Sequence, residues 1–385
     1  MANTIIKTGL LSLLGACALV TSVQAGGFSR GEADTDILFE EGNVVVRGGV
    51  TYVNPGRTFD TVGGAASSDD AFSDDYVIPN FAAKFKLTDN LGCALTYTQP
   101  FGASSTYGPD AQLADQLAGI PDGSVNYYTG KEFITNEFGA TCDVKFQAGP
   151  GDFHVLGGVF LEDFDYTARA YYGTLHLEDD SALGYRIGAA YDIKEYALRI
   201  QLMYRSAVDH EADGDFTPGF LDFLLGPDPV FADGYGTLPQ SLKLSAQTGV
   251  APGWLVYGSV KWTDWSVLQA LNYNITGLGD QQDIYNWKDG WTLQAGVAHA
   301  FTEKVAGTIN LTWDSGVGNG ADIMTDTWTL ATGASIKAGP GEFRVGGAVS
   351  YLTEGSQSYA EGATFDATAD GDWAYALSAS YKIAF

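Results

Sequence analysis

The order of the connections constrains this chain more than any single residue in it. Strand-like runs are joined alternately by short turns and long connections along the whole sequence. The short turns are Thr88-Asp89-Asn90, Gly149-Pro150-Gly151, Lys194-Glu195, Ala251-Pro252-Gly253, Thr302-Glu303-Lys304 and Gly339-Pro340-Gly341. The long connections are 54–75, 103–132, 166–181, 209–238, 268–283, 316–325 and 353–371. A soluble sandwich or propeller has no reason to keep this asymmetry. A transmembrane β-barrel does, because one rim carries tight periplasmic turns and the other long external loops.

The runs between these connections are 44–53, 76–87, 91–102, 133–148, 152–165, 182–193, 196–208, 239–250, 254–267, 284–301, 305–315, 326–338, 342–352 and 372–385. They predict an all-β fold, a transmembrane antiparallel β-barrel of about fourteen strands with a short N-terminal plug. Successive side chains of a strand point to opposite faces. In the final run Trp373, Tyr375, Leu377, Ala379, Tyr381, Ile383 and Phe385 share one face, and Ala374, Ser378, Ser380 and Lys382 lie on the other. Val305, Ile309, Leu311 and Trp313 likewise alternate with Ala306, Thr308, Asn310 and Asp314. A soluble antiparallel sheet packed on one face is the rival, and it needs a second layer that the sequence does not supply. The aromatic Phe385 resembles an assembly signal, and the last run is expected to close the barrel against 44–53, with both termini in the periplasm.

Residues 1–25 read as a secretory signal, with Lys7, an apolar stretch from Leu10 to Val20 and a Val23-Gln24-Ala25 cleavage site. Lipidation at Cys17 is the competing reading. Residues 26–43 form the N-terminal plug and 44–385 the barrel. Beyond the N-terminus no apolar run reaches the roughly 18 residues a membrane helix needs, and a mean hydropathy of -0.03 suits a barrel whose alternation averages out. The formal charge of -27 excludes nucleic acid, which requires a basic face. Acidic clusters such as Asp69, Asp70, Asp74 and Asp75 read as solvated loops, with divalent-cation bridging to lipopolysaccharide as a sharper alternative.

No nucleophile, phosphate-binding or zinc motif occurs, so neither an enzyme nor a cofactor is expected. His210, beside Asp209 and Asp213, reads as a loop histidine without a nucleophile. Cys93 and Cys142 fall on neighbouring strands in the apolar row. They read as two small lipid-facing residues, with a periplasmic disulfide as the alternative. Two features point to a hydrophobic ligand. The connection 209–238 carries Phe216, Phe220, Leu221, Phe223 and Leu224, an apolar patch in an external loop. Leu113, Leu117 and Ile120, at near-helical spacing in 103–132, are expected to supply an opposing wall. The second feature is Gln99-Pro100-Phe101-Gly102 within the third strand, where Pro cannot donate to the ladder and Gly permits a kink that opens the wall.

Together with Tyr76-Val-Ile-Pro-Asn80, Tyr107, Tyr204-Arg-Ser206, Leu238-Pro239, Trp262-Thr-Asp-Trp-Ser266, Trp287-Lys-Asp289 and the aromatic final strand, these residues resemble the FadL/TodX family. Its members are outer-membrane transporters of long-chain fatty acids and aromatic hydrocarbons. The resemblance implies a plugged barrel of about fourteen strands in the bacterial outer membrane. It implies capture of the ligand in a groove between external loops, an inner site, and lateral release at the kinked strand. By the same resemblance Phe28 lines the inner site, and Arg169 and Lys288 are cationic partners for a carboxylate. The family's longer plug has an Asn-Pro-Ala motif, whereas here Asn54-Pro55-Gly56 lies beyond the first strand, so the plug is read as shortened.

The resulting expectation is a monomeric channel for passive uptake of long-chain fatty acids or other hydrophobic compounds. Its other contacts are outer-membrane lipid and lipopolysaccharide. The rivals are a non-transporting adhesion or phage-receptor barrel and a general porin.

Overall fold

The computed structural model describes residues 26–123 and 126–385, so the signal peptide and Cys17 lie outside the described residues. Fourteen antiparallel strands close into a barrel. In chain order they are β1 (Val44–Asn54), β2 (Tyr76–Lys86), β3 (Leu91–Thr98, then Gly102–Thr106) and β4 (Tyr128–Ile134, then Glu137–Ala148). β5 (Gly151–Ala170), β6 (Gly173–Ile193), β7 (Leu198–Arg205, then Val208–Pro218) and β8 (Val230–Leu238, then Ser241–Ala251) follow. The circuit ends with β9 (Trp254–Thr263, then Ala270–Ile275), β10 (Gly279–Ile284, then Gly290–Ala300), β11 (Val305–Asp314), β12 (Thr327–Ala338), β13 (Gly341–Leu352) and β14 (Asp372–Ala384). β14 pairs with β1 from Val45↔Ala384 to Asn54↔Tyr375, which closes the barrel as expected.

Alternation sorts the residues radially. Leu377, Tyr375 and Trp373 of β14 face outward and are exposed, while Ala374 and Ala376 between them are buried. Aromatic side chains form an outer belt near the long-loop end, where Trp262 faces Trp291, Trp313 faces Trp328, Trp328 faces Tyr351 and Tyr351 faces Trp373. Phe146 opposite Phe153, Trp254 opposite His299 and Phe343 opposite Tyr381 mark the short-turn end. Such girdles sit where rings can contact both hydrocarbon and water.

The structure corrects the strand ends. The connections 166–181, 209–238 and 268–283 are mostly strand, so β5–β6, β7–β8 and β9–β10 project as long hairpins above the aromatic belt. The apolar row changes face where the strands leave lipid. On β7, Ile200 and Leu202 point outward within the belt. Above Ser206 it is Val208, Ala212 and Phe216 that are buried inside, and Asp209, Glu211, Asp213 and Asp215 that face out. A ladder whose apolar side inverts midway shows no continuous amphipathic period.

Cys93 and Cys142 are directly opposed on β3 and β4 and are joined by a disulfide, Cα–Cα 4.0 Å. The reading of two free lipid-facing thiols is therefore overturned, because cross-strand register places the two sulfurs side by side. The intact protein is expected to be lighter by two hydrogens than its reduced form. Equal masses with and without reductant would refute the bridge.

The helix α1 (Pro109–Gly119), between β3 and β4, turns Leu113 and Leu117 outward, with Ile120 just beyond, at 54–55 % exposure each. Its buried face is Ala111 and Ala114, packed with Phe59, Val62, Ile323 and Phe365. The expected apolar wall is thus not built by Leu113, Leu117 and Ile120. A small sheet of Thr61–Val62, Ala65–Ala66, Gly355–Gln357 and Ala367–Ala369 lies beside this cluster at the long-loop end.

Candidate functional site

Residues 26–43 run through the barrel interior, held by ion pairs to inward-facing side chains. Glu32 meets Lys243 at 2.6 Å and Lys261 at 2.9 Å, Asp34 meets Arg47 at 2.7 Å, and Asp36 meets Arg199 at 3.2 Å. Glu40 meets Arg47, Lys382 at 2.9 Å and Arg344 at 3.4 Å. The 3-10 turn Thr35–Phe39 buries Ile37 and Leu38 against Val45, Ala82, Ala94 and Leu156. An acidic segment inside a basic lumen neutralises charges that each strand would otherwise carry alone into a confined space.

The upper part of the same segment covers a break in the wall. β3 stops at Thr98 and resumes at Gly102, and β4 is interrupted opposite, between Ile134 and Glu137. β2 pairs with β3 only from Phe81↔Tyr97 to Lys86↔Gly92, so Tyr76–Asn80 have no β3 partner in the ladder. The N-terminal segment occupies the space. Arg30 N–H donates to Pro100 O at 2.8 Å, Gly31 N–H to Gln99 O at 2.8 Å, and Gly102 N–H to Phe28 O at 2.9 Å. The backbone groups released by the Pro100 break are satisfied by a strand the sheet does not own. The approach is close: a Cβ on Gly102 would fall 2.7 Å from the Arg30 guanidinium, which would have to move aside. That guanidinium lies 4.2 Å over the Tyr76 ring. Gln99 donates to Asn136 at 3.2 Å, and Phe101 packs edge-on to Trp265 at 5.4 Å.

Two cavities flank this seal. The upper one, about 240 Å³, is lined by Phe28, Phe133, Phe164, Leu271, Tyr285 and Phe365 among others. The lower one, about 300 Å³, is bounded by Ser29, Gly31, Ile78, Thr98, Pro100 and the charged lumen residues. Phe28 lines the upper cavity, 4.9 Å from Phe133, 4.6 Å from Trp287 and 5.4 Å from Tyr285 between ring centroids.

The two expected cations are elsewhere. Arg169 is on the outward row of β5, about half exposed, and its nearest carboxylate is Glu132 at 3.6 Å. Lys288 is exposed, and neither residue lines either of these two cavities. The lysine that reaches the upper cavity is Lys131, paired with Asp283 at 2.9 Å and 3.7 Å above the Tyr128 ring. Tyr166 donates to the other oxygen of Asp283 at 2.6 Å. His210 is no loop histidine: it is buried at the cavity wall, bonded to Asp179 at 2.8 Å and 3.4 Å from Glu162. Glu162 and Glu137 share Arg205, which also lies over the Phe101 ring at 5.1 Å.

Asp322, in the connection after β11, accepts from Trp287 Nε1 at 2.7 Å. Burial pushes its carboxyl up to about 7, and the Trp287 bond only partly opposes this. Burial, aided by Asp283 and Asp322, holds the Tyr285 hydroxyl well above its usual range, so it stays neutral. Lys131, Asp283 and Asp322 carry no periodic or motif signal, which is why sequence reasoning missed them. Their grouping arises only when the upper parts of β4 and β10 and the connection after β11 meet over the barrel mouth.

The apolar loop residues divide. Phe216 and Leu221 are buried, and Phe216 joins the cluster of Leu175, Leu177 and Ala212. Phe220, Phe223 and Leu224 remain exposed at the hairpin tip around the short helix α2 (Asp222–Leu225), at 46 %, 73 % and 61 %. Phe220 stacks on Tyr171 at 4.8 Å.

A fourteen-stranded barrel with this occupied lumen invites comparison with known proteins. The model of the family described as outer membrane protein transport protein (OMPP1/FadL/TodX) matches residues 34–382. The chain belongs to that family. It is an outer-membrane β-barrel of a transporter family, not of an enzyme family. The long-chain fatty acid transport protein of Escherichia coli O6:H1 is 28 % identical over 155 residues, which is 32 % of this chain and 34 % of that protein. The matched stretch thus spans about a third of that relative. Among solved structures, a Pseudomonas aeruginosa FadL homologue superposes with TM-score 0.72 at 14 % identity, covering 96 % of this chain and 100 % of the other. The Pseudomonas putida toluene transporter TodX gives 0.61 at 13 %, covering 96 % and 98 %. At these identities the structural likeness establishes the fold.

Proposed function

We propose that this chain is a passive outer-membrane channel for water-insoluble compounds, working as a single barrel. A ligand is captured at the exposed Phe220, Phe223 and Leu224 patch, moves to the upper cavity around Phe28, and leaves laterally through the wall break at Gln99–Gly102. The class runs from the fatty acids named for the Escherichia coli relative to the toluene named for TodX. The observation that carries this reading is the break itself. A sheet tolerates unpaired backbone poorly, yet here β2 and β3 part, and a separate segment seals the gap with three backbone hydrogen bonds. Displacing that segment opens the path without unfolding the barrel. The cavity favours uncharged ligands, because Lys131 is already held by Asp283, and Arg169 and Lys288 lie away from it.

Cells carrying the chain in their outer membrane are expected to take up radiolabelled toluene several-fold faster than cells with empty vector. In planar bilayers the purified protein is expected to pass no large steady ion current, since the lumen is filled by residues 26–43. A steady porin-like current with no change in toluene uptake would overturn the proposal and favour a general porin.

A further inference from the structure

We propose that Arg205 is the positioning residue of the wall break: its guanidinium holds the Phe101 ring inward and so keeps the sealed backbone of residues 99–102 in place. The inference rests on the channel reading above and assigns a gate residue that the reading does not name.

Phe101 sits within the break. Its side chain is buried, packs edge-on to Trp265 at 5.4 Å, and has the Arg205 guanidinium 5.1 Å from its ring centroid. Its N–H donates to the Thr135 hydroxyl at 3.2 Å, and its carbonyl accepts from the Thr135 N–H at 3.1 Å. Thr135 itself lies in the interruption of β4.

Arg205 reaches this point from β7. Its Nε donates to Glu137 at 3.1 Å, where β4 resumes, and one terminal nitrogen donates to Glu162 of β5. The other terminal nitrogen donates to the carbonyls of Ser206 at 3.3 Å and Pro239 at 3.4 Å. Those carbonyls lie where the β7–β8 ladder is interrupted, between Arg205↔Ser241 and Val208↔Leu238. One guanidinium thus ties the interruptions of β4, β7 and β8 together while lying over the rings of Phe160, at 4.5 Å, and Phe101.

This task suits arginine and not lysine. A planar fork serves several acceptors at once and still stacks on an aromatic ring, whereas an ammonium is a point charge on a flexible stem. The hydrogen bonds fix the guanidinium, and its attraction to the ring face, strongest where water is excluded, then acts on a side chain of the break itself. A guanidinium that only neutralised carboxylates would be partly redundant, since Glu137 also pairs with Arg186 and Glu162 faces His210 at 3.4 Å.

The test is a double-variant cycle of Arg205→Lys and Phe101→Leu on the purified full-length barrel in detergent. It is read by hydrogen exchange of the sealing amides of Arg30, Gly31 and Gly102. Leu stays apolar and removes the ring, and Lys keeps the charge and removes the fork. Each single variant is expected to speed exchange of these amides about tenfold, with the amides of β12 and β13 unchanged. The double variant is expected to exchange no faster than the faster single, because both changes remove one contact. Unchanged exchange in Arg205→Lys overturns the proposal. So do effects that multiply to about a hundredfold, the mark of independent sites, because Arg205 would then serve only its carboxylates. If Arg205→Lys lacks the heat-modifiable mobility of a closed barrel, Glu162→Gln takes its place in the cycle under the same criteria, since it weakens an anchor and leaves Arg205 present. Toluene uptake is measured in parallel. If the wild type takes up none, the channel reading fails, while the exchange cycle still decides the role of Arg205.

Discussion

A disulfide between Ser29→Cys and Phe101→Cys is expected to lower hydrophobic uptake by an order of magnitude or more, and reductant to restore it. The two residues form an isolated antiparallel bridge. Their neighbours make the flanking hydrogen bonds, Arg30 N–H to Pro100 O and Gly102 N–H to Phe28 O. Ser29 and Phe101 are therefore the non-hydrogen-bonded pair of that bridge, whose Cα atoms approach to about 4.5 Å, within the range a disulfide spans. The crosslink pins the N-terminal segment across the wall break and leaves the fourteen-strand ladder untouched. The reduced double variant serves as its own control for the lost Phe101 ring, and wild type with reductant controls for Cys93–Cys142. Uptake unchanged by oxidation, with the crosslink verified by mass, would show that the ligand leaves by another route.

The second large effect is expected from Arg47→Met. Arg47 is buried on β1 and pairs with both Asp34 and Glu40 of the N-terminal segment. Glu40 retains Lys382 and Arg344, but Asp34 loses the one ion-pair partner it has among the described residues. Removing one member of a buried pair costs about 3–5 kcal/mol, because the other charge stays desolvated. The cost falls on the seating of residues 26–43, since β1 keeps its backbone pairing to β14 and β2. Planar-bilayer recordings should then show intermittent ion current that the wild type lacks, and hydrogen exchange of Thr35–Phe39 should accelerate. A current-free variant with unchanged exchange would mean that Ile37 and Leu38, not the ion pairs, hold the segment.

Much of the architecture was legible in the sequence. Strict alternation of short and long connections implied a barrel and its strand number, and outward rows such as Trp373 to Phe385 implied lipid. Pro100 and Gly102 marked the interrupted strand, because each residue has a backbone property that a continuous ladder cannot use. Where the signal failed, the cause was physical. The projecting hairpins were read as loops because their apolar face inverts above the aromatic belt, at Ser206 on β7. The Cys93–Cys142 bond depends on cross-strand register, which residue type alone does not encode.

The site divides along the same line. The sequence by itself determined the membrane, the barrel, the place of the wall break and the aromatic character of Phe28, since each depends on local pattern or on a single residue's backbone chemistry. Only the tertiary structure decided which charges meet. Residues more than a hundred positions apart, Lys131 and Asp283 or Glu32 and Lys243, come together through barrel closure. Arg169 and Lys288, plausible as sequence, were directed outward by the pleat and by an exposed connection. Asp322 reached Trp287, thirty-five positions away, only when its connection folded over the mouth. Electrostatic partners are long-range facts of the fold, and no local period carries them.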